Sequence, residues 1–124
     1  MDPIPDRVRR FLLTSIPSVP HLEALMLLWR EPRAFPVDEI ASRLYVGVSV
    51  ARTLAEELAQ AELLDGEDDG SRYRVRTDPP ELQVLLSELD RTYARQVRAV
   101  AELIHGNVDR KAHRFAKAFY WRKP

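Results

Sequence analysis

The chain has 124 residues with 45% hydrophobic content, enough for one modest core plus an extension and too little for two ordinary domains. Nineteen basic and nineteen acidic residues cancel, so bulk charge makes no case for a polyanionic partner and any such case must come from local patches. The absence of cysteine excludes a disulfide framework, a thiolate metal site and a thiol nucleophile, and fits a reducing compartment.

At the start, Met1-Asp2-Pro3-Ile4-Pro5-Asp6 lacks the basic-then-apolar pattern of a signal segment, and the longest uninterrupted apolar run, Ala24 to Trp29, falls far short of a bilayer span. A soluble, cytoplasmic protein with no membrane span is expected. Val8, Phe11, Leu12 and Ile16 share one face at helical spacing, which predicts a short packing helix. Pro17-Ser18-Val19-Pro20 breaks it, and Ser18 is placed to cap the next helix. His21 to Arg30 is the most apolar segment, with Leu22, Leu25, Met26, Leu28 and Trp29 covering most of a helix, and should run through the core.

The stretch from Phe35 to Arg76 reads helix, turn, helix, hairpin. Pro36-Val37-Asp38-Glu39 opens a helix carrying Ile40, Ala41 and Leu44, and a short turn follows at Tyr45 to Gly47. The next helix carries Ala51, Leu54, Ala55 and Leu58. Ala41 and Ala51 are small enough to let the two helices cross closely. Leu63-Leu64-Asp65-Gly66 and Arg72-Tyr73-Arg74-Val75-Arg76 then predict two short strands around a polar tip. By strand alternation Tyr73 and Val75 face inward, while Arg72, Arg74 and Arg76 share the other face. The tip between the strands is Glu67-Asp68-Asp69, which repels a phosphate backbone.

This order, with Glu39-Ile40-Ala41-Ser42-Arg43-Leu44, Val46 and the run Ala51 to Leu64, resembles the winged helix-turn-helix superfamily of bacterial regulators that includes the MarR-like and PadR-like repressors. Two residues depart from its pattern. Tyr45 stands where such turns commonly have glycine, and Glu62 replaces the glycine that closes the second helix. Both places favour glycine because it accepts positive φ, so the turn at Tyr45 is expected to rely on Gly47 instead.

The resemblance implies that the helix from about Val48 to Gln60 enters the major groove of double-stranded DNA with its N-terminal turns nearest the bases. Arg52 would then read guanine, Ser49 and Thr53 would contact the groove or phosphate, and Arg72, Arg74 and Arg76 would hold the backbone. The bland alternatives stay open: Arg52 pairing with Glu56 on its own helix, and a solvated strand whose arginines neutralise the acidic tip.

Asp78-Pro79-Pro80-Glu81 predicts a helix start, with Asp78 as cap. From there Leu82, Leu85, Leu86, Leu89, Tyr93, Gln96, Val97, Val100, Leu103 and Ile104 recur at spacings of three and four, predicting one long helix. Such a stripe resembles the dimerisation helix of PadR-like regulators, and Leu82, Leu85, Leu86, Leu89, Tyr93, Val97, Val100, Leu103 and Ile104 are assigned to a homodimer interface. Packing back onto the chain's own domain is the alternative. His105-Gly106-Asn107 is expected to end this helix. Trp29 and Tyr93 either wall an effector pocket or fill a core.

The tail from Val108 to Pro124 carries Arg110, Lys111, Arg114, Lys117, Arg122 and Lys123 against Asp109 alone, interleaved with Phe115, Phe119, Tyr120 and Trp121. A terminal helix docked on the dimer through Phe115, Ala118 and Phe119 is expected, and a protein partner at the tail is the competing reading.

Catalysis finds little support. The three histidines, His21, His105 and His113, form no close pair on one helix face, and no phosphate-cradling glycine loop or nucleophile motif occurs. The expectation is a non-enzymatic, mainly α protein without cofactor or metal: a winged helix-turn-helix domain over 1–77, a long C-terminal dimerisation helix over 78–105 and a basic aromatic tail over 106–124. Its expected function is transcriptional regulation by homodimeric DNA binding. The runner-up is a winged-helix protein-protein interaction module without DNA binding.

Overall fold

The computed structural model of the chain describes residues 3–107. Helix α1 spans Asp6–Ser15 and buries Val8 and Leu12, the spacing of four that puts both on one face. The chain bends by 115° into α2, Val19–Arg30. Ser18 caps α2 as its sequence position suggests, its hydroxyl oxygen accepting from the backbone N–H of His21 at 3.3 Å. Six of its twelve residues are buried, including Leu22, Leu25, Met26 and Leu28, so α2 is the axis of the core. Trp29 is partly buried at the edge of that core.

A strand too short for any sequence pattern comes next. Strand β1 is Phe35–Pro36 only, and it adds to a hairpin of β2, Leu64–Gly66, and β3, Arg72–Val75, in the order β1-β3-β2 with every pair antiparallel. Phe35, wholly buried, stands opposite Tyr73, and Leu64 stands opposite Val75. The inward set therefore meets the helices, while Arg72 and Arg74 face solvent. Gly66 is required here because a Cβ would lie 2.7 Å from the Tyr73 ring.

Between β1 and β2 lie α3, Val37–Leu44, and α4, Val48–Gln60. They pack on each other, and Ala41 and Ala51 are both buried where the small side chains permit close approach. Each ends in the same way. Val46 N–H donates to Ala41 O at 3.0 Å and Tyr45 N–H to Ser42 O at 3.3 Å; Leu63 N–H donates to Leu58 O and Glu62 N–H to Ala59 O, both at 3.0 Å. These are the paired bonds of a Schellman closure, which needs one left-handed residue. Tyr45, at φ 58°, and Glu62, at φ 65°, supply it. The expectation that the first turn leans on Gly47 is therefore corrected: Gly47 has φ −69° and serves as the extended cap of α4.

Helix α5 spans Pro80–Arg95 and packs on α1. Its cap is Pro79 with no side-chain bond, so Asp78 does not cap it. The single helix expected over 78–105 is interrupted at Gln96, which has φ −133° and ψ 51°. A sixth helix, α6, covers residues 97–107. Residues 105–107 are helical rather than terminating. The expected tail, 108–124, lies outside the described residues.

Leu86, Leu89, Tyr93, Val100 and Ile104 join the same buried cluster as α1 and α2. Arg7 pairs with Glu88, and Arg30 with Asp90 at 2.7 Å, tying α5 to both of those helices. Five of the nine residues assigned to a dimer face are thus covered by the chain itself. Val97 stands 54% exposed, and Leu82, Leu85 and Leu103 are partly buried. The apolar faces of α1 and α2 meet the stripe first, which is the physical reason a second copy is not needed to cover it. The described chain is mainly helical, with one small three-stranded sheet.

Candidate nucleic-acid interface

Helix α4 buries Ala51, Leu54, Ala55 and Leu58 and leaves Ser49, Arg52, Thr53 and Glu56 exposed on the other side. Its first turn carries no acidic residue and no side-chain cap, so the first N–H groups point to solvent with the positive end of the helix dipole unscreened. Thr53 Oγ1 donates back to Ser49 O at 3.1 Å, which fixes its rotamer. Arg52 does not pair with Glu56; its Nη1 donates instead to Gly70 O of the hairpin tip at 3.4 Å. Helix and hairpin are joined at that point into one surface.

The hairpin side of this surface is electrically mixed. Residues 67–76 hold three acids and three arginines. Arg72 Nε lies 4.0 Å from Glu67, and Arg76 Nε lies 3.9 Å from Asp65. Arg74 is exposed and has no ion-pair partner among the described residues. At the tip the Asp69 carboxylate accepts from Ser71 Oγ at 2.7 Å and Ser71 N–H at 3.0 Å. The Ser71 hydroxyl first, then its N–H, holds that carboxyl below its ordinary range, so the tip keeps its negative charge.

All six residues singled out for DNA contact thus stand around α4 and the hairpin, but Arg76 is half-buried and loosely paired, and only Arg52 and Arg74 present guanidinium groups with no acid against them. Sequence reasoning missed Tyr45, Val48 and Val50, exposed by 95%, 49% and 47%. The signal was present: Val48 and Val50 fall off the 51, 54, 55, 58 spacing of the buried face.

Behind α3, Arg33 and Arg43 interleave with Glu31 and Glu39, and the Arg33 guanidinium lies 3.8 Å from the Phe35 ring centre. This cluster seals β1 against solvent and stands clear of the α4 face. Among the described residues no three His, Asp or Glu side chains are grouped to hold a metal ion, and no single helix is long and apolar enough to cross a membrane.

No protein-family model and no curated protein matches the chain. Among solved structures it is similar to one described as a "Possible transcriptional regulator from Methanosarcina mazei Go1", at 16% identity and a TM-score of 0.43, with 96% of this chain and 88% of that one covered. A likeness this slight leaves function to the chain's own geometry.

Proposed function

We propose that the chain is a winged helix-turn-helix regulator that binds double-stranded DNA in the cytoplasm, with α4 as the groove-entering helix and the β2–β3 hairpin as the wing. The observation that carries this reading is the joint surface of α4 and the hairpin, with Ser49, Arg52 and Thr53 on one side of the Arg52–Gly70 contact and Arg74 on the other. Arg52 reads a base edge, Ser49 and Thr53 position the helix, and Arg74 holds phosphate, with Arg72 and Arg76 contributing once freed from Glu67 and Asp65. The active form is a homodimer, for which Leu82, Leu85, Val97 and Leu103 are the apolar side chains left at least partly uncovered.

The test is selection from a pool of random duplexes with the full chain and with Arg52→Ala. Enrichment of a sequence by the wild type that vanishes in the variant supports the reading, and two-fold symmetry in that sequence supports the dimer. With only two unpaired arginines per chain on the face, the slope of log affinity against log salt should be shallow, roughly −2 per chain.

A second reading is favoured by the acidic tip and by the internal pairing of Arg72 and Arg76: a winged-helix module that binds protein rather than DNA. Failure of a folded sample to enrich any duplex makes that reading the better one. A partner would then be sought on the basic aromatic tail.

A further inference from the structure

Five large apolar side chains stand exposed among the described residues, and three of them, Tyr45, Val48 and Val50, fall within six positions at the entrance to α4. Single exposed apolar residues need no explanation, but a cluster does. Tyr45 adds a second oddity. It occupies a left-handed conformation that costs a residue with a Cβ, and its ring, 95% exposed, gains no burial in return. Glycine would close α3 more cheaply. A tyrosine kept there at a loss to the fold points to a partner.

The surroundings choose the partner's chemistry. From Ser42 to Ala55 the chain has no acidic residue, and it includes Arg52. A polyanion can therefore approach here, whereas Glu56 and the tip Glu67-Asp68-Asp69 repel one further along. Val48 and Val50 lie about 200° apart around the helix axis and flank Ser49, so a first turn pointed into a groove turns one valine to each wall. The exposed apolar group on the floor of the major groove is the 5-methyl of thymine.

From this geometry we infer that Tyr45, Val48 and Val50 make the entrance of α4 a reader of thymine methyl groups, so that the preferred duplex carries thymine where they reach. The inference rests on the DNA-binding reading above. It also accounts for a face with few free cations, since apolar contact supplies affinity that phosphate contact does not.

The experiment uses the full chain and two duplex pools with the same random core, one made with thymine and one with deoxyuridine, which lacks only the methyl. Wild type should enrich a thymine-containing sequence and hold it about fourfold more tightly for each methyl contacted. Val48→Ala and Val50→Ala should shrink that difference while leaving uridine duplexes bound as before. Tyr45→Gly should weaken binding yet raise the melting temperature, a combination that a structural role for the ring does not give. Equal affinity for both pools overturns the inference and leaves DNA binding standing. Failure to enrich from either pool overturns both, and a lower melting temperature in Tyr45→Gly removes Tyr45 from the reader.

Discussion

The imidazole of His21 bridges two helices: its Nδ1 lies 2.6 Å from Ser18 Oγ and its Nε2 lies 2.8 Å from Glu57 Oε1. A carboxylate only accepts, so Nε2–H donates to Glu57 and the start of α2 is fastened to the middle of α4. The ring is buried, while the Glu57 side chain is half exposed, which moderates the bond's worth. A double-mutant cycle with His21→Phe and Glu57→Ala should give a coupling of about 1 kcal/mol in urea unfolding. Additive effects would show that packing alone aligns the two helices.

Replacing Glu62 by glycine should stabilise the fold by about 1 kcal/mol, because glycine adopts the left-handed closure of α4 without the Cβ penalty. Glu62 is exposed and carries no side-chain bond among the described residues, so nothing offsets the gain. A higher urea midpoint at unchanged slope is the expected outcome. An unchanged midpoint would mean that the unfolded chain's added freedom cancels it.

Burial, and then the hydrogen bond donated to Glu23, push the Tyr93 phenol up to about 12. A phenol whose folded value is raised binds its proton more tightly when folded. Its contribution to stability is therefore full below the unfolded value, about 10, and is lost as pH climbs from there toward 12. Unfolding by urea across that interval should show a falling midpoint in the wild type and a flatter one in Tyr93→Phe. Parallel curves would place the phenol in contact with water.

Leu89→Ala should cost about 3 kcal/mol at any protein concentration, because Leu89 is wholly buried within one chain. Val97→Asp, at an exposed position, should leave unfolding of the dilute monomer nearly unchanged and weaken self-association in sedimentation. A concentration-dependent midpoint for Leu89→Ala would return that residue to an interface between copies.

Helices α1 to α4 and the hairpin were legible from residue pattern, because spacings such as 8, 12, 16 and 51, 54, 55, 58 leave one solution for which face is buried. Strand β1 was not, since two residues with a proline carry no period. The apolar stripe after Pro80 was legible as buried, but not as to what buries it; periodicity records that a face is covered and says nothing of whether the cover comes from the same chain. The break at Gln96 escaped because the stripe continues on both sides of it. At the candidate interface, the pairing of Arg72 and Arg76 depends on strand register, which places Asp65 and Glu67 within reach and is invisible along the chain.

The interruption at Gln96 bears on how two copies would measure DNA. A single unbroken rod would act as a ruler, fixing the distance between two groove-entering helices and so the number of base pairs between half-sites. With α5 held against α1 and the rod ending at Arg95, that distance is no longer set by helix length. Spacing would instead follow from how α6 and the residues beyond it meet their counterparts, so inserting one helical turn into α5 should upset the core without moving the half-sites apart.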